Sequence, residues 1–304
     1  MMKINIKNET GKLQAVVLGI ADDFGGTPKV EECYDPKSRA HVIAGTFPAN
    51  DACVKEMDAL VSVFDKYGVK VFRPKNIKGL NQIFSRDIVF SIEDKLIIPN
   101  IIEDRIKEAD AIADVINKIA NEDIIKMPLS TRAEGGDVMP CNEYVFVGYS
   151  EKKDFEKYTV ARTNKSALDF LTLTFPNKIV KGFELKKSDI DPRENALHLD
   201  CCFQPIGKKM AIIHKGGFKH SADVNFLVNY FGKENIIEVS KEEMYNMNSN
   251  VFSISEEVIV SEKGFTRLNE SLRKRGFTVE EVPYAEIAKM EGLLRCSTIP
   301  LIRE

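Results

Sequence analysis

The sequence lacks long apolar stretches, and it lacks an excess of basic charge. No apolar run approaches the ~18 residues that a membrane-spanning helix needs, and residues 1–20 contain neither a signal-peptide core nor a small-residue cleavage pattern. The 43 basic residues are outnumbered by 46 acidic ones, which gives a formal net charge of −3, and no extended basic block occurs. These absences argue against a membrane or nucleic-acid partner and predict a cytoplasmic protein.

The cysteines form no CxxC pair. They are scattered along the chain, at Cys33, Cys53, Cys141, Cys201, Cys202 and Cys296. Without a secretion signal, reduced thiols are expected, and neither spacing nor neighbours suggest a zinc site. We therefore predict no metal site and interpret most of these cysteines as small buried apolar residues.

Short β-rich runs alternate with amphipathic stretches along the chain. Apolar residues spaced three to four apart predict a helix over 102–120, and further helices are predicted over 221–231 and near 266–275. The predicted strands are 13–19, 69–74, 95–99, 124–128, 144–149, 208–214, 235–240, 251–255, 257–262 and 277–283. This alternation is typical of an α/β fold.

Five segments share one order: a polar residue, a short apolar strand, a turn and usually a second strand. The polar residues are Asp87, Asp137, Asp200, Asn250 and Cys296, at spacings of 50, 63, 50 and 46 residues. One supersecondary unit per period of about 50 residues indicates a repeat architecture. The fifth unit lacks its second strand, which 13–19 could supply to close a ring as in propellers, with the five polar residues on one rim. The alternative is an open α/β sheet with coincidentally spaced acids.

Five short motifs follow one another at these positions. They are SRD (85–87), AEGGD (133–137), HLD (198–200), SNVFSI (249–254) and RCST (295–298). The ordered set resembles the guanidino-group-modifying superfamily, which contains the arginine deiminases, the dimethylarginine dimethylaminohydrolases and the amidinotransferases. The resemblance spans residues 10–304 and implies a five-bladed pseudosymmetric α/β propeller of ββαβ-type repeats around a central polar cleft. It also implies a single catalytic domain over 1–304 and a possible homodimer.

The chemistry of a guanidinium substrate sets the requirements for the site. Its central carbon is a poor electrophile, so attack needs a soft nucleophile, neutralisation of the charge and a proton for the departing amine. Cys296 is the predicted nucleophile, and the adjacent Arg295 cation would lower its pKa, as would a bound guanidinium. His198 is the predicted acid/base, because imidazole titrates near neutrality. It lies two residues before Asp200, so both side chains are expected on one side of an extended segment.

Four acidic residues complete the predicted site. By the resemblance, Glu134 orients the histidine and stabilises its imidazolium as the third member of a triad-like set. Asp87 and Asp200 would grip the substrate N–H groups through charge-assisted bonds. Asp137 either lines the site or serves the fold alone. No cofactor is implied, because a thiol and bound carboxylates suffice for this chemistry.

Two arginines, a loop and two glycines have further predicted roles. By the resemblance, Arg162 would meet a substrate carboxylate, while Arg86 is a rival for that role or braces neighbouring carboxylates. The Gly- and Pro-rich segment 21–51 is interpreted as a lid that carries specificity, or as a partly disordered surface loop. Gly135 and Gly136 are expected to let the backbone turn tightly at the pocket wall.

These roles predict a hydrolase of a small guanidino or ureido compound, such as arginine or a methylated arginine, acting through a covalent amidino-thioether on Cys296. The alternative is an amidinotransferase, in which an amine takes the amidino group in place of water. A third reading, from a different class, is a non-catalytic propeller that only binds a partner, as a ribosomal anti-association factor of this fold does.

Overall fold

The computed structural model describes all residues, 1–304, and contains five β-sheets of three strands each. The strands are β1 Leu13–Leu18, β2 Lys70–Phe72, β3 Phe90–Ile92, β4 Lys95–Ile98, β5 Ile124–Lys126, β6 Val138–Cys141, β7 Tyr144–Tyr149, β8 Ile179–Glu184, β9 Phe203–Ile206, β10 Met210–Ile213, β11 Ile236–Glu238, β12 Phe252–Ser253, β13 Val258–Glu262, β14 Thr278–Val282 and β15 Thr298–Arg303. The helices are α1 Pro36–Ile43, α2 Asn50–Lys66, α3 Ile106–Asp110, α4 Ala113–Ile116, α5 Lys152–Phe155, α6 Lys165–Thr174, α7 Ser221–Phe231, α8 Lys241–Tyr245 and α9 Thr266–Lys274.

Every sheet has the same topology. Its first two strands pair antiparallel, and its third strand joins the second in parallel after a helical crossover, as in β3–β4–β5 and β6–β7–β8. The first two strands are separated by only two residues in several blades, which suits a tight hairpin. The parallel third strand requires the longer, helical connection. The repeat predicted from the spacing of the polar residues is therefore confirmed as five ββαβ-type units.

The fifth sheet unites the two ends of the chain. β15 pairs antiparallel with β1, from Leu13 opposite Arg303 to Leu18 opposite Thr298, and β1 pairs in parallel with β2. This is the exchange expected from the missing second strand of the last unit. The architecture is the predicted five-bladed pseudosymmetric α/β propeller, and the open-sheet alternative is wrong.

Several helices differ from the sequence-based prediction. The segment 102–120 is not one helix but a 3-10 turn over Glu103–Arg105 followed by the short α3 and α4. The long α2 and the α6–β8 pair had not been predicted, although α2 buries Met57, Leu60 and Phe64 at helical spacing. No helix has the length and apolar character required to cross a bilayer.

Apolar side chains of the strands and helices pack into four buried clusters, one of 38 residues and three smaller ones. The predicted polar residues lie in turns that precede the first strand of their blades; four of them stand apart from these clusters, whereas Cys296 belongs to the largest one. Three of the turns are 3-10 turns, Ser85–Asp87, Gly135–Asp137 and Leu199–Cys201. Successive turns contact one another, so the fold gathers the predicted site residues at one place.

Candidate active site

Two of the repeated acids tie one blade to the next through the backbone. Asp87 Oδ1 accepts a hydrogen bond from the Gly136 amide at 3.0 Å. Asp137 Oδ1 accepts the equivalent bond from the Leu199 amide at 2.9 Å. In each case the donor is the residue just before the next blade's polar residue, so the two contacts are related by the repeat. Both carboxylates are almost fully buried, where an accepted N–H bond stabilises a charged side chain.

Asn250 has the same function two blades beyond Asp137. Its Oδ1 accepts from the amides of Arg295 and Cys296 at 2.9 and 3.1 Å. Its Nδ2 donates to the Asp200 carbonyl at 3.3 Å and lies 3.1 Å from Cys296 Sγ. Asn250 therefore fixes the turn that carries the candidate nucleophile.

The Cys296 thiol is buried, with 2% of the residue exposed. Its Sγ donates to Asp200 Oδ2 at 3.5 Å. Burial raises the pKa of the thiol well above its ordinary value, and the carboxylates of Asp200 and Asp87 raise it further, against a smaller lowering by Arg295. The sequence had suggested that the neighbouring cation would activate this cysteine. In the structure its effect is outweighed, and the thiol is protonated at neutral pH.

Arg295 has a limited effect on the thiol because its charge is already neutralised. Its guanidinium is fully buried and makes paired bonds of 3.0 Å to Glu9 and a 2.8 Å bond to Asp200 Oδ2. Burial alone would raise the pKa of Glu9, but Arg295 and Arg86 lower it to about 2. Sequence analysis had not singled out Glu9, whose only signal was an acid just ahead of the first strand.

His198 and Glu134 form a buried pair. His198 Nε2 lies 2.9 Å from Glu134 Oε2, and His198 Nδ1 lies 3.7 Å from Asp87 Oδ1. Burial would lower the pKa of the imidazole, but the charge of Asp87, the Glu134 hydrogen bond and the charge of Asp137 raise it to about 9. The ring is therefore largely protonated at neutral pH. The expected contact between Glu134 and His198 is present.

Asp87 is more heavily engaged than a free substrate ligand would be. Arg105 Nη1 donates to Asp87 Oδ2 at 2.6 Å, while Nε and Nη2 of the same guanidinium donate to Glu108 at 2.8 and 2.7 Å. Asp200, in contrast, accepts no backbone N–H, and its Oδ1 meets only the Cys201 thiol, at 3.9 Å. Asp200 thus keeps one carboxylate oxygen free for a ligand, whereas both Asp87 oxygens have protein partners. Sequence analysis had not identified Arg105, which lay inside the predicted helix 102–120.

Arg162 donates all its guanidinium groups to the protein. It bonds Glu134 Oε2 at 3.1 Å, the Thr159 carbonyl at 3.2 Å and the Tyr34 carbonyl at 2.9 Å. Through these contacts it braces Glu134, the partner of His198. The contact with a substrate carboxylate that the resemblance implied stays a prediction. Burial and Arg295 lower the pKa of Arg86 to about 9, and its Nη1 lies 4.0 Å from Glu9, which fits the bracing alternative.

The segment 21–51 is ordered and includes α1. Asp35 caps that helix by accepting from the Ser38 amide at 2.7 Å, and Tyr34 bonds Arg162 through its carbonyl. One of the larger cavities adjoins the site. It has a volume of about 240 Å³ and lies beside Tyr34 and Asp35. Cys296, His198 and Asp200 do not line this cavity, and all three are buried, with at most 2% of each residue exposed. A second cavity, of about 480 Å³, is lined by Lys37 and His41 of α1 and by none of the site residues.

Gly136 is required by close packing. A Cβ placed on it would lie 2.6 Å from His198 Nδ1 and 2.7 Å from Cγ of the same ring, closer than real Cβ contacts come. Its φ is not positive. The glycine therefore permits the imidazole to lie against the backbone, and the expectation that it serves a tight turn is replaced by this contact.

The side chains of Asp87, Glu134 and His198 could reach a common metal ion, because one ligand atom from each lies within 4.8 Å of the others. Both carboxylates already have an arginine partner, Arg105 for Asp87 and Arg162 for Glu134. A divalent cation would have to displace these charge-assisted bonds or add to the positive charge beside a protonated imidazole. The donor set is charge-balanced as it stands, and we assign no metal to it.

Structural comparison shows which class of protein has this architecture. The N-terminal domain of ArgZ, an arginine dihydrolase from cyanobacteria solved with its substrate, superposes with a TM-score of 0.76 at 17% identity, over 95% of this chain and 98% of that one. SxtG, an amidinotransferase from Microseira wollei, gives a TM-score of 0.75 at 17% identity, over 99% and 97%. At these identities the likeness shows the fold: this chain has the architecture of ArgZ and SxtG.

Sequence comparison gives the family. The family model for eukaryotic N,N-dimethylarginine dimethylhydrolase matches residues 47–303, so the chain belongs to that family. The uncharacterized protein YkgA of Bacillus subtilis is 31% identical over 298 residues, covering 98% of this chain and 94% of that protein. An arginine deiminase of Listeria welshimeri is 25% identical over 202 residues, or 56% of this chain. Those residues are 47% of the deiminase, so the matched region spans about half of that enzyme. These relationships indicate an enzyme that acts on amidine or guanidine groups and argue against the non-catalytic reading.

Proposed function

We propose that this protein hydrolyses a guanidino or ureido compound, such as arginine or a methylated arginine, through a covalent amidino-thioether on Cys296. The observation that supports this proposal most is that a thiol, a carboxylate and the pair of His198 with Glu134 lie together in the interior. Cys296 Sγ lies 3.5 Å from Asp200, and His198 lies 2.9 Å from Glu134. These are the nucleophile, the cation ligand and the acid/base that guanidinium chemistry requires.

Binding of the substrate cation activates the thiol. The groups around Cys296 raise its pKa because they are carboxylates and because the site is buried. A guanidinium held by the free Oδ1 of Asp200 brings a positive charge to the same place and lowers that pKa. The thiol proton leaves to solvent as the substrate binds, so the nucleophile forms only when a substrate is present. Asp87 contributes its charge while its oxygens remain bonded to Arg105 and the Gly136 amide.

In the first half-reaction the thiolate attacks the central guanidinium carbon. His198, whose pKa is about 9, is protonated at neutral pH and gives its proton to the departing nitrogen. The carbon–sulfur bond forms, the carbon–nitrogen bond breaks, and ammonia or an alkylamine leaves. Glu134 holds the ring in place and stabilises its charged form before the transfer.

In the second half-reaction water replaces the departed amine. The now neutral His198 takes a proton from this water as its oxygen attacks the amidino carbon. The carbon–oxygen bond forms and the carbon–sulfur bond breaks with its electron pair going to sulfur. The remaining hydroxyl proton of the product passes to this Cys296 thiolate, so a neutral ureido product leaves and the thiol is restored. His198 is again protonated, so it is ready for the next turnover.

We also propose that the segment 21–51 is a lid over this site. The guanidinium of Arg162 bonds both the carbonyl of Tyr34 in this segment and the carboxylate of Glu134. The same side chain therefore couples closing of the lid to the orientation of Glu134 and His198. The buried Cys296, with 2% exposed, can receive a substrate only when this segment moves. In this proposal Arg162 is a positioning residue and not a ligand of a substrate carboxylate.

The test is to incubate the protein with arginine, methylated arginines and other guanidino compounds while measuring ammonia, alkylamine and ureido product. Mass spectrometry of the acid-quenched protein should show the amidino adduct on Cys296. Cys296→Ala should lose turnover and adduct, whereas Cys53→Ala, which removes a buried thiol in α2, should keep both. Full turnover by Cys296→Ala would overturn the assignment.

The second candidate is an amidinotransferase. The burial of Cys296, which is 2% exposed, favours this candidate, because transfer to an amine requires that water be kept from the intermediate. Adding amine acceptors to the same assay separates the two reactions. Turnover that depends on an acceptor and yields no ureido product would replace hydrolysis by transfer.

A further inference from the structure

Side chains from two other elements hold the backbone on both sides of His198. Lys187 Nζ donates to the carbonyls of Ala196 and Leu197, at 2.9 and 2.7 Å. The Leu199 amide donates to Asp137 Oδ1 at 2.9 Å. Three peptide groups that flank the histidine are therefore fixed by one cationic and one anionic side chain, neither of which bonds the imidazole itself.

Asp137 and Lys187 are charged groups in the interior. Asp137 is fully buried and Lys187 is 7% exposed. Burial raises the pKa of Asp137 and lowers that of Lys187, and each charge partly offsets this effect on the other group. A buried charge without a partner is costly. Each residue thus helps to keep the other ionised next to the histidine.

We propose that Asp137 and Lys187 are a charge-balanced pair of positioning residues that hold the backbone of His198 and keep the electrostatic balance beside it. This inference rests on the proposed role of His198 in the reaction. It gives Asp137 a place in the site other than substrate binding, and it adds Lys187, which sequence analysis had not considered. Neither residue touches the reacting atoms.

Other charges face the same groups and remain in place when the pair is altered. Asp87 and Glu134 approach the imidazole directly, and behind them stand Arg105 and Arg162. Lys187 also faces Arg162 and the thiols of Cys201 and Cys202. The pair is therefore one contribution among several to the charge around His198, and its effect is measured as a difference between variants.

The two single substitutions should move His198 in opposite directions. Asp137→Asn keeps an oxygen for the Leu199 amide but removes a carboxylate that raises the pKa of His198, so this pKa should fall. Lys187→Met keeps the length of the side chain and removes a cation, while the charge of His198, which lowers the pKa of Asp137 more than Lys187 does, keeps that carboxylate ionised; the pKa of His198 should therefore rise. The double variant should lie between the singles, because both charges are gone. A purely structural loosening would move both singles the same way, towards the value of a solvated histidine.

The experiment is an NMR titration of the histidine Cε1 protons in the full-length protein, with activity measured in parallel. The chain has only four histidines, and His198→Asn assigns the resonance. Lys186→Met is the matched control, since its exposed side chain neighbours Lys187, and it should leave the titration and the turnover unchanged. We expect kcat to fall up to about 100-fold in the two single variants, the loss that a displaced catalytic group produces, with KM altered less than kcat.

Shifts of His198 in one common direction, or no shift in either single variant, would overturn the proposal. The titration needs no substrate, so its outcome is independent of the proposed function. If His198 moves as expected while no guanidino compound is turned over, the pair stands and the proposed hydrolase fails. If turnover is found but the titration does not move, the hydrolase stands and the pair fails.

Discussion

Replacing Asp200 by asparagine should make the Cys296 thiol more reactive towards alkylating agents while it abolishes turnover. Asp200 Oδ2 lies 3.5 Å from Cys296 Sγ. At an effective dielectric constant of about 20, a carboxylate and a thiolate at that distance repel each other by about 5 kcal/mol. Asparagine has nearly the same shape and removes the charge, so much of this repulsion against the thiolate disappears. The substrate, in contrast, loses the one carboxylate with an oxygen free to bind its cation.

The size of the effect follows from two opposing terms. Each decrease of about 1.4 kcal/mol in the repulsion felt by the thiolate raises the thiolate fraction about tenfold. A thiolate of lower pKa is a weaker nucleophile, however, and this cancels about half of the gain on a logarithmic scale. We therefore expect alkylation of Cys296 by iodoacetamide at pH 7 to accelerate between about tenfold and about 50-fold. Peptide mapping by mass spectrometry isolates Cys296 from the other five cysteines.

The matched control is Asp137→Asn, the same change at the equivalent position of another blade, where the carboxylate bonds the Leu199 amide and not the thiol. Its Cys296 should be alkylated at nearly the wild-type rate. An unchanged or slower rate in Asp200→Asn, with the fold intact by circular dichroism, would show that Asp200 does not hold the thiol in its protonated form. The activation of Cys296 by a bound cation would then lose its basis.

Four further outcomes are expected. The pKa of Glu9 is about 2 against an ordinary 4.5, so its ionised form contributes about 3 kcal/mol to the free energy of unfolding. This contribution is present above pH 4.5 and is lost as the pH falls to 2. In Glu9→Gln the free energy of urea unfolding should therefore decrease less steeply with acidification. The pKa of His198 is about 9 against 6.5, so its contribution is complete below pH 6.5 and lost as the pH rises through 9. Glu134→Gln should weaken this alkaline dependence, and an identical pH profile would contradict the pairing. Arg295→Met removes the cation that hydrogen-bonds both Glu9 and Asp200, leaving Glu9 with only the more distant Arg86, and should cost about 3–5 kcal/mol in denaturant unfolding. Gly136→Ala should displace the His198 ring and cost about 1–3 kcal/mol, with a wild-type midpoint counting against the contact.

The fold could be predicted because its signals are local. Short β-rich runs, one polar residue ahead of each blade and a period near 50 residues are all visible in the sequence. The pairing of β1 with β15 followed from counting strands in the last unit. The helix over 102–120 was wrong for a tertiary reason: the side chain of Arg105 reaches Asp87 and the Phe84 carbonyl, and the chain forms a 3-10 turn there.

The site could be predicted only at the level of its repeated positions. Asp87, Glu134 and Asp200 stand where the motifs placed them, but their partners come from distant parts of the chain. Arg105 binds Asp87 across 18 residues, and Glu9 binds Arg295 across 286. Such pairings depend on how the blades are arranged around the centre, which no local pattern encodes. This is why the sequence suggested that Arg295 activates the thiol, while the structure shows its charge already neutralised.

The pseudosymmetry offers a physical reason why the chemistry falls on two of five equivalent positions. At three of them, Asp87, Asp137 and Asn250, the side chain accepts an amide N–H from the next blade, so it is committed to joining the blades. Asp200 accepts no such bond, and the junction beyond it is made by its carbonyl and Asn250 Nδ2. At Cys296 the junction is likewise made by the backbone, through its carbonyl and the Arg86 amide. Because backbone carbonyls join the blades at these two places, the Asp200 carboxylate and the Cys296 thiol are left free to face each other. A substrate cation can therefore bind between two side chains that are not needed to join the blades.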